Sequence, residues 1–204
     1  MISFFRPKDV KGFILSNKGL FLFSLLFILI GMIIGVVIAI RSSDSLTIFA
    51  SSAVSLTDLI AGDYSAGALF FSCFTKLLLA VVILFLFSLT KLTSILNYVY
   101  LAYQGMLVSI TATNLIYING VSGILNVVLF TLPVNVVNLM IIAYASSLFI
   151  KRREYSKEYN KKFFTSFGVY LHQFIGLIIG MFVASAIYGV IYPILLRSIV
   201  VISY

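Results

Sequence analysis

The sequence predicts an all-α, polytopic integral membrane bundle of five spans, with its N-terminus inside and its C-terminus outside. Three observations carry that expectation. Of 204 residues, 62% are hydrophobic and only 10% charged, and the mean hydropathy is +1.16, far from the balance of a soluble domain. The apolar residues fall into five runs of membrane-crossing length. The basic residues collect on one side of those runs. A chain of this length is read as a single membrane domain, residues 1–204.

The first run, 20–40, lies between Lys18 and Arg41 and spans with little to spare. It lacks a small-residue cleavage pattern and is longer than a signal-peptide core, so it is read as a retained span. The second, 66–89, is interrupted by Lys76. Snorkelling to the outer interface is the preferred reading for that lysine, and a polar partner within the bundle is the alternative. The third, 95–118, carries Asn97, Tyr100, Tyr103, Gln104 and Asn114, which lipid solvates poorly, so it is expected to be an inner helix. The fourth, 124–150, contains Pro133, and the fifth, 174–196, has Pro193 near its end. Proline is tolerated in such helices where neighbouring groups satisfy the carbonyls it leaves.

Orientation follows from the cations. Arg6, Lys8, Lys11 and Lys18 precede span one, Lys91 follows span two, and Lys151, Arg152, Arg153, Lys157, Lys161 and Lys162 follow span four. Five spans put these eleven on one side and leave Arg41, Lys76 and Arg197 on or near the other, a bias that marks the cytoplasmic face. The basic inner loop, 151–163 and above all Lys151, Arg152 and Arg153, is expected to meet anionic lipid head groups. The net charge of +8 thus has an explanation in placement. Nucleic acid is not an expected partner, because the cations are not interleaved with base-stacking aromatics.

The outer loop, 41–65, holds Asp44, Asp58 and Asp63 with Leu46, Phe49, Val54, Leu56, Leu59 and Ile60. Part of it reads as an amphipathic helix capped by Asp44 or Ser45, and Asp44, Phe49, Leu56 and Asp58 are candidate contacts for a membrane surface or a partner. Three acids at irregular spacing do not make a cation site. Small residues recur at one-turn spacing: Gly31 and Gly35; Gly105, Ser109 and Thr113; Gly176, Gly180 and Ala184. They are expected to be packing faces inside the bundle, or contacts to a partner that includes a second copy of the chain. Asn135 and Asn138 follow Pro133, where an amide can bond a carbonyl that proline leaves unpaired. The alternative is a polar pocket drawing on Gln104, Asn114, Asn135 and Asn138.

Searches for chemistry return nothing. There is one histidine, His172, and one cysteine, Cys73, so neither a zinc pair nor an intramolecular disulfide is available. No aspartate lies deep in a span. Gly120-Val121-Ser122-Gly123 lacks the spacing of a nucleophile elbow and is read as a turn. No nucleotide-binding fingerprint occurs. The chain is expected to be non-enzymatic, without cofactor or metal.

Several segments resemble the stage II sporulation protein M family, five-span membrane proteins of the forespore-engulfment machinery. Ser16-Asn17-Lys18-Gly19-Leu20, leading into Phe27-Ile28-Leu29-Ile30-Gly31 and Gly35, is similar to the family's entry into span one. Leu101-Ala102-Tyr103-Gln104-Gly105 resembles an apolar segment in which the family usually has a lysine at Gln104. Leu132-Pro133-Val134-Asn135 resembles the family's Leu-Pro-Gln-Asn, with Val134 for the glutamine. Ser185-Ala186-Ile187-Tyr188 through Pro193 follows a segment that carries a glutamate at Tyr188. The resemblance covers nearly the whole length. It implies a scaffold in the bacterial cell membrane that localises peptidoglycan-degrading partners, and no active role passes to Tyr188. The competing expectation is a permease subunit working with a separate ATPase.

Overall fold

The computed structural model describes residues 7–41, 66–89, 94–158 and 171–191. Every regular element among them is helical: α1 (Pro7–Ser16), α2 (Lys18–Arg41), α3 (Ala66–Phe87), α4 (Ser94–Asn126), a π-helical turn (Val127–Thr131), α5 (Leu132–Glu158), α6 (Leu171–Ala186) and a second π-helical turn (Ile187–Ile191). Among the described residues five segments are long and apolar enough to cross a membrane: Lys18–Arg41, Ala66–Phe87, Ile95–Tyr117, Leu132–Ser156 and Leu171–Val190. Leu22, Leu29, Ile33, Ile40, Leu79, Leu96, Ile178 and Phe182 are among the large apolar side chains on the outside of the bundle. Water rejects such a surface and lipid accepts it.

The register of contacts gives the direction of each helix. Phe23 and Phe27 of α2 stack near Tyr98 of α4, with ring centroids 4.9 and 5.1 Å away, and farther along Gly31 meets Ala102 and Gly35 meets Met106. Numbers rise together, so α2 and α4 run parallel. Cys73 faces Asn138 and Phe85 faces Phe149, so α3 and α5 are also parallel. Phe174 lies against Phe149 and Gly180 against Ile141, which makes α6 antiparallel to α5. Ser24 near Ser147 brings Lys18 and Lys151 to the same end of the bundle. That end is called the basic end below.

Two expectations are corrected, and two further features are added to them. First, the third span is expected to be an inner helix, yet the most deeply buried helix is the fourth: residues 142–150 are buried without a break. The run Ala143-Tyr144-Ala145-Ser146-Ser147 offers small side chains on most of its circumference, so α2, α3 and α6 all reach its backbone. Second, Lys151, Arg152 and Arg153 are not in a loop, because α5 continues through Glu158. Straight-chain residues favour helix there, and Lys151 Nζ pairs with Glu154 one turn on at 3.2 Å. Third, a short helix, α1, precedes span one. It buries Phe13 edge-on against Tyr144 at 5.6 Å, and Asn17 joins it to α2 by accepting from Phe21 N at 3.2 Å while donating to Phe13 O at 3.0 Å. Fourth, the turn expected over Gly120–Gly123 is a kink at Gly120, with φ 57° and ψ −128°, and helical structure continues on both sides of it. A left-handed φ is open to glycine at little steric cost. Gly123 is thereby carried back against Ile116, whose Cα would stand 2.9 Å from a Cβ at 123.

Pro193 and the outer-loop residues Asp44, Phe49, Leu56 and Asp58 lie outside the described residues.

Candidate functional site

Three features of the bundle bear on function: a glycine-mediated helix contact, a set of buried polar groups, and two unusual cations.

The contact joins α2 and α4. A Cβ placed on Gly31 would stand 2.7 Å from Ala102 Cα, and one on Gly35 would stand 3.0 Å from Met106 Cα. Reciprocally, a Cβ on Gly105 would stand 3.2 Å from Ile28 Cα. The backbones meet because no side chain separates them. Ser109 Oγ is held out of the way by donating to Met106 O at 3.0 Å. Gly180 differs, since a Cβ there would meet only the Ile141 side chain at 3.8 Å, an ordinary contact. Gly176 is half-buried.

The polar groups form two layers. Toward the basic end, Ser24 and Ser147 lie 3.5 Å apart across α2 and α5, and each hydroxyl donates to a carbonyl of its own helix. Asn97 is wholly buried, and neither its Nδ2 nor its Oδ1 has a hydrogen-bond partner among the described residues. The Ser146 and Tyr144 hydroxyls share that condition. Each such group forfeits about 1–3 kcal/mol relative to a satisfied one. Toward the far end, Asn138 Nδ2 points at Cys73 Sγ across α5 and α3 at 4.0 Å, and Ser185 donates to Met181 O at 2.8 Å. The Oδ1 atoms of Asn114 and Asn138 are without partners among the described residues.

The four residues of the expected polar pocket are not joined by hydrogen bonds into one site. Gln104 donates to Tyr100 OH of its own helix at 2.8 Å, and Asn135 Nδ2 donates to Thr131 O at 2.9 Å. The second bond lies at the joint between the first π-turn and α5. Pro133, exposed two residues beyond that turn, has no N–H and its ring crowds the preceding turn, which favours a widened π geometry there. Asn135 ties the joint by reaching one turn back.

The cations are Arg152 and Lys76. Arg152 is 3% exposed, with its guanidinium carbon 5.3 Å from the centroid of the Phe85 ring, and Phe85 in turn packs edge-on to Phe149 at 5.4 Å. Lys151 and Arg153 beside it are half-exposed. Lys76 lies on the outer surface of α3, ten residues and about 15 Å of helix from Ala66. Its depth can also be reckoned from the other helices. Asn138, which faces Cys73, is thirteen residues or about 20 Å from Lys151 along α5. Lys76 is one turn nearer the basic end than Cys73, hence about 15 Å from the Lys151 level. Both reckonings place it near the midpoint of α3. On insertion scales a lysine at the centre of a membrane span is disfavoured by about 2.5–3.5 kcal/mol.

The burial of Asn97 agrees with the expectation that lipid would not solvate it, whereas the buried Ser146 and the outward face of Lys76 escape sequence reading, because a period-3.6 pattern inside a uniformly apolar run carries little contrast. The Ala143–Ser147 cluster of small residues was the available signal for the central helix. No group of three or more histidine, cysteine, aspartate or glutamate residues is placed to hold a metal among the described residues. No family model, curated protein or solved structure matches the chain.

Proposed function

We propose that this chain is a non-enzymatic scaffold of the bacterial cell membrane, with its N-terminus and basic end in the cytoplasm, that localises peptidoglycan-degrading partners during engulfment in sporulation. The observation that carries the reading is the segment Leu132-Pro133-Val134-Asn135. It bears the most specific resemblance to the stage II sporulation protein M family, and here it forms an architectural joint, with Asn135 bonded to Thr131 O beside the π-turn. A motif that sets the geometry of the central helix is one a shared architecture would require. The eleven cations on one side of the spans support the orientation.

Time-lapse imaging of an N-terminal fluorescent fusion during sporulation, in wild type and in a deletion strain, tests the proposal. Accumulation at the asymmetric septum and a block in engulfment on deletion are expected. Uniform membrane signal with normal spores sinks the reading.

A permease subunit partnered by a separate ATPase is the second reading. It draws on the unpartnered amide oxygens of Asn114 and Asn138, which are acceptors available to a polar solute. Co-purification of an ATP-binding subunit and its loss with the chain's deletion would favour it over the scaffold.

A further inference from the structure

The exposed face of α3 is not a uniform lipid-facing surface. Ser72, Thr75, Lys76 and Leu79 succeed one another at helical spacing and all are exposed, with Leu86 completing the stripe below them. One turn of this stripe is therefore polar and cationic at a depth where lipid offers neither water nor counter-charge. No hydrogen bond or ion pair reaches Lys76 from the described residues.

We propose that Lys76 is the docking point for a different membrane protein, whose transmembrane helix presents an aspartate or glutamate at matching depth. This rests on the membrane-spanning reading given above. The charge decides the class of occupant. An ammonium in hydrocarbon needs an opposite charge close by, and the attraction is strong because nothing screens it. Ser72 and Thr75, one turn away and adjacent, are small enough to let a second helix approach, and their hydroxyls can supply acceptors for the ammonium's remaining donors.

Among the described residues a second copy of the chain offers no counter-charge at this level of the helix. Its six acidic residues are Asp9, Asp44, Asp58, Asp63, Glu154 and Glu158. The first four precede or fall between the membrane-length helices, and Glu154 and Glu158 stand at the basic end of α5 beyond Lys151. None belongs to the middle of a membrane-length helix among the described residues, so two copies meeting through their α3 faces would oppose ammonium to ammonium. The complementary group is therefore assigned to another protein.

The experiment places a photoreactive amino acid at Leu79 of the full-length chain, expressed in its native membranes, and irradiates them. With Lys76 intact, one adduct to a membrane protein is expected, and that protein should carry a carboxylate within a transmembrane helix. Lys76→Met should reduce the adduct at least tenfold, while Lys76→Arg retains it. Lys76→Asp combined with a carboxylate→Lys change in the partner should restore it, an outcome that a merely misfolded Lys76 variant does not produce. Adducts to lipid alone, an adduct only to a second copy, or an adduct insensitive to Lys76→Met would each overturn the proposal. Labelling of a Lys76→Cys variant by a membrane-impermeant maleimide would overturn it as well, by showing that this face meets water. The failure of the scaffold reading is separable: a partner with the required carboxylate but no connection to cell-wall hydrolysis upholds the docking point and removes the proposed role.

Discussion

Gly31 and Ala102 touch backbone to backbone, so closely that a methyl group on Gly31 would overlap the Ala102 carbonyl and stand 2.7 Å from its Cα. The pair fixes the separation of α2 and α4 in a way that no larger residue permits. Gly31→Val should therefore force the helices apart and destabilise the bundle by about 1–3 kcal/mol or more. Thermal unfolding of the purified protein in detergent, followed by circular dichroism, measures this. Gly19, which has nothing within 4 Å of its would-be Cβ, is the contrast. Gly19→Ala should leave the fold intact and raise stability by about 0.5–1 kcal/mol, the usual gain from a helical glycine.

Arg152 is predicted to be the one structural cation of the Lys151–Arg153 cluster. Its planar group lies over Phe85, and it is buried where its neighbours are half-exposed. Arg152→Ala should lower stability by about 2 kcal/mol through lost packing and lost cation–π attraction. Arg152→Lys should recover little of this, because an ammonium does not stack as a guanidinium does. Lys151→Ala removes only the solvated pair with Glu154 and should change stability by about 0.5 kcal/mol or less. Chemical denaturation of the three variants side by side gives the comparison.

Phe13 holds α1 to the bundle. It is 6% exposed and packs edge-on to Tyr144. Phe13→Ala should release α1 while leaving α2 in place, at a cost of about 3 kcal/mol to the docked state. Hydrogen exchange of residues 7–16 should accelerate by about two orders of magnitude in the variant with exchange in α5 unchanged. Equal acceleration in both helices would contradict the local docking.

Asn135→Ala removes the bond to Thr131 O beside the π-turn. The loss should be about 1 kcal/mol, and the effect should vanish in a Pro133→Ala background if Asn135 serves only the joint that the proline creates. A double-mutant cycle on thermal stability reads the coupling.

The single cysteine, Cys73, is buried between α3 and α5. In native membranes it should resist a water-soluble maleimide for as long as the bundle is folded, and label fully in denaturant. Rapid labelling before unfolding would place water in the far-end polar layer and favour a solute path.

Much of the architecture is legible from residue types alone. Runs such as 20–40 cannot be anything but helical in lipid, since every backbone N–H and C=O there must be bonded within the segment. The number and length of such runs in this chain anticipate the five membrane-length helices that the structure contains. Gly120 announces its turn by being the only residue type at ease with a positive φ in that position. Neighbour relations are different, because they depend on which of several equally apolar faces turn toward one another. Spacing alone treats Gly31, Gly105 and Gly180 alike. Tertiary packing puts the first two against backbone and leaves the third beside a movable isoleucine side chain.

Composition and pattern, acting through the solvation of backbone and side chains, thus determined by themselves that this protein is a set of membrane-length helices with its cations collected beside particular ends. Only the tertiary structure decided that α5 is the centre of the bundle, that Arg152 turns inward while Lys76 turns outward midway along α3, and that Ser146 is sealed inside. The physical reason is the same in each case. Transfer of an apolar helix into lipid is a property of the segment, whereas burial within a bundle is a property of pairs of helices, and in an apolar sequence many pairings compete until side-chain volume and polar contacts select one.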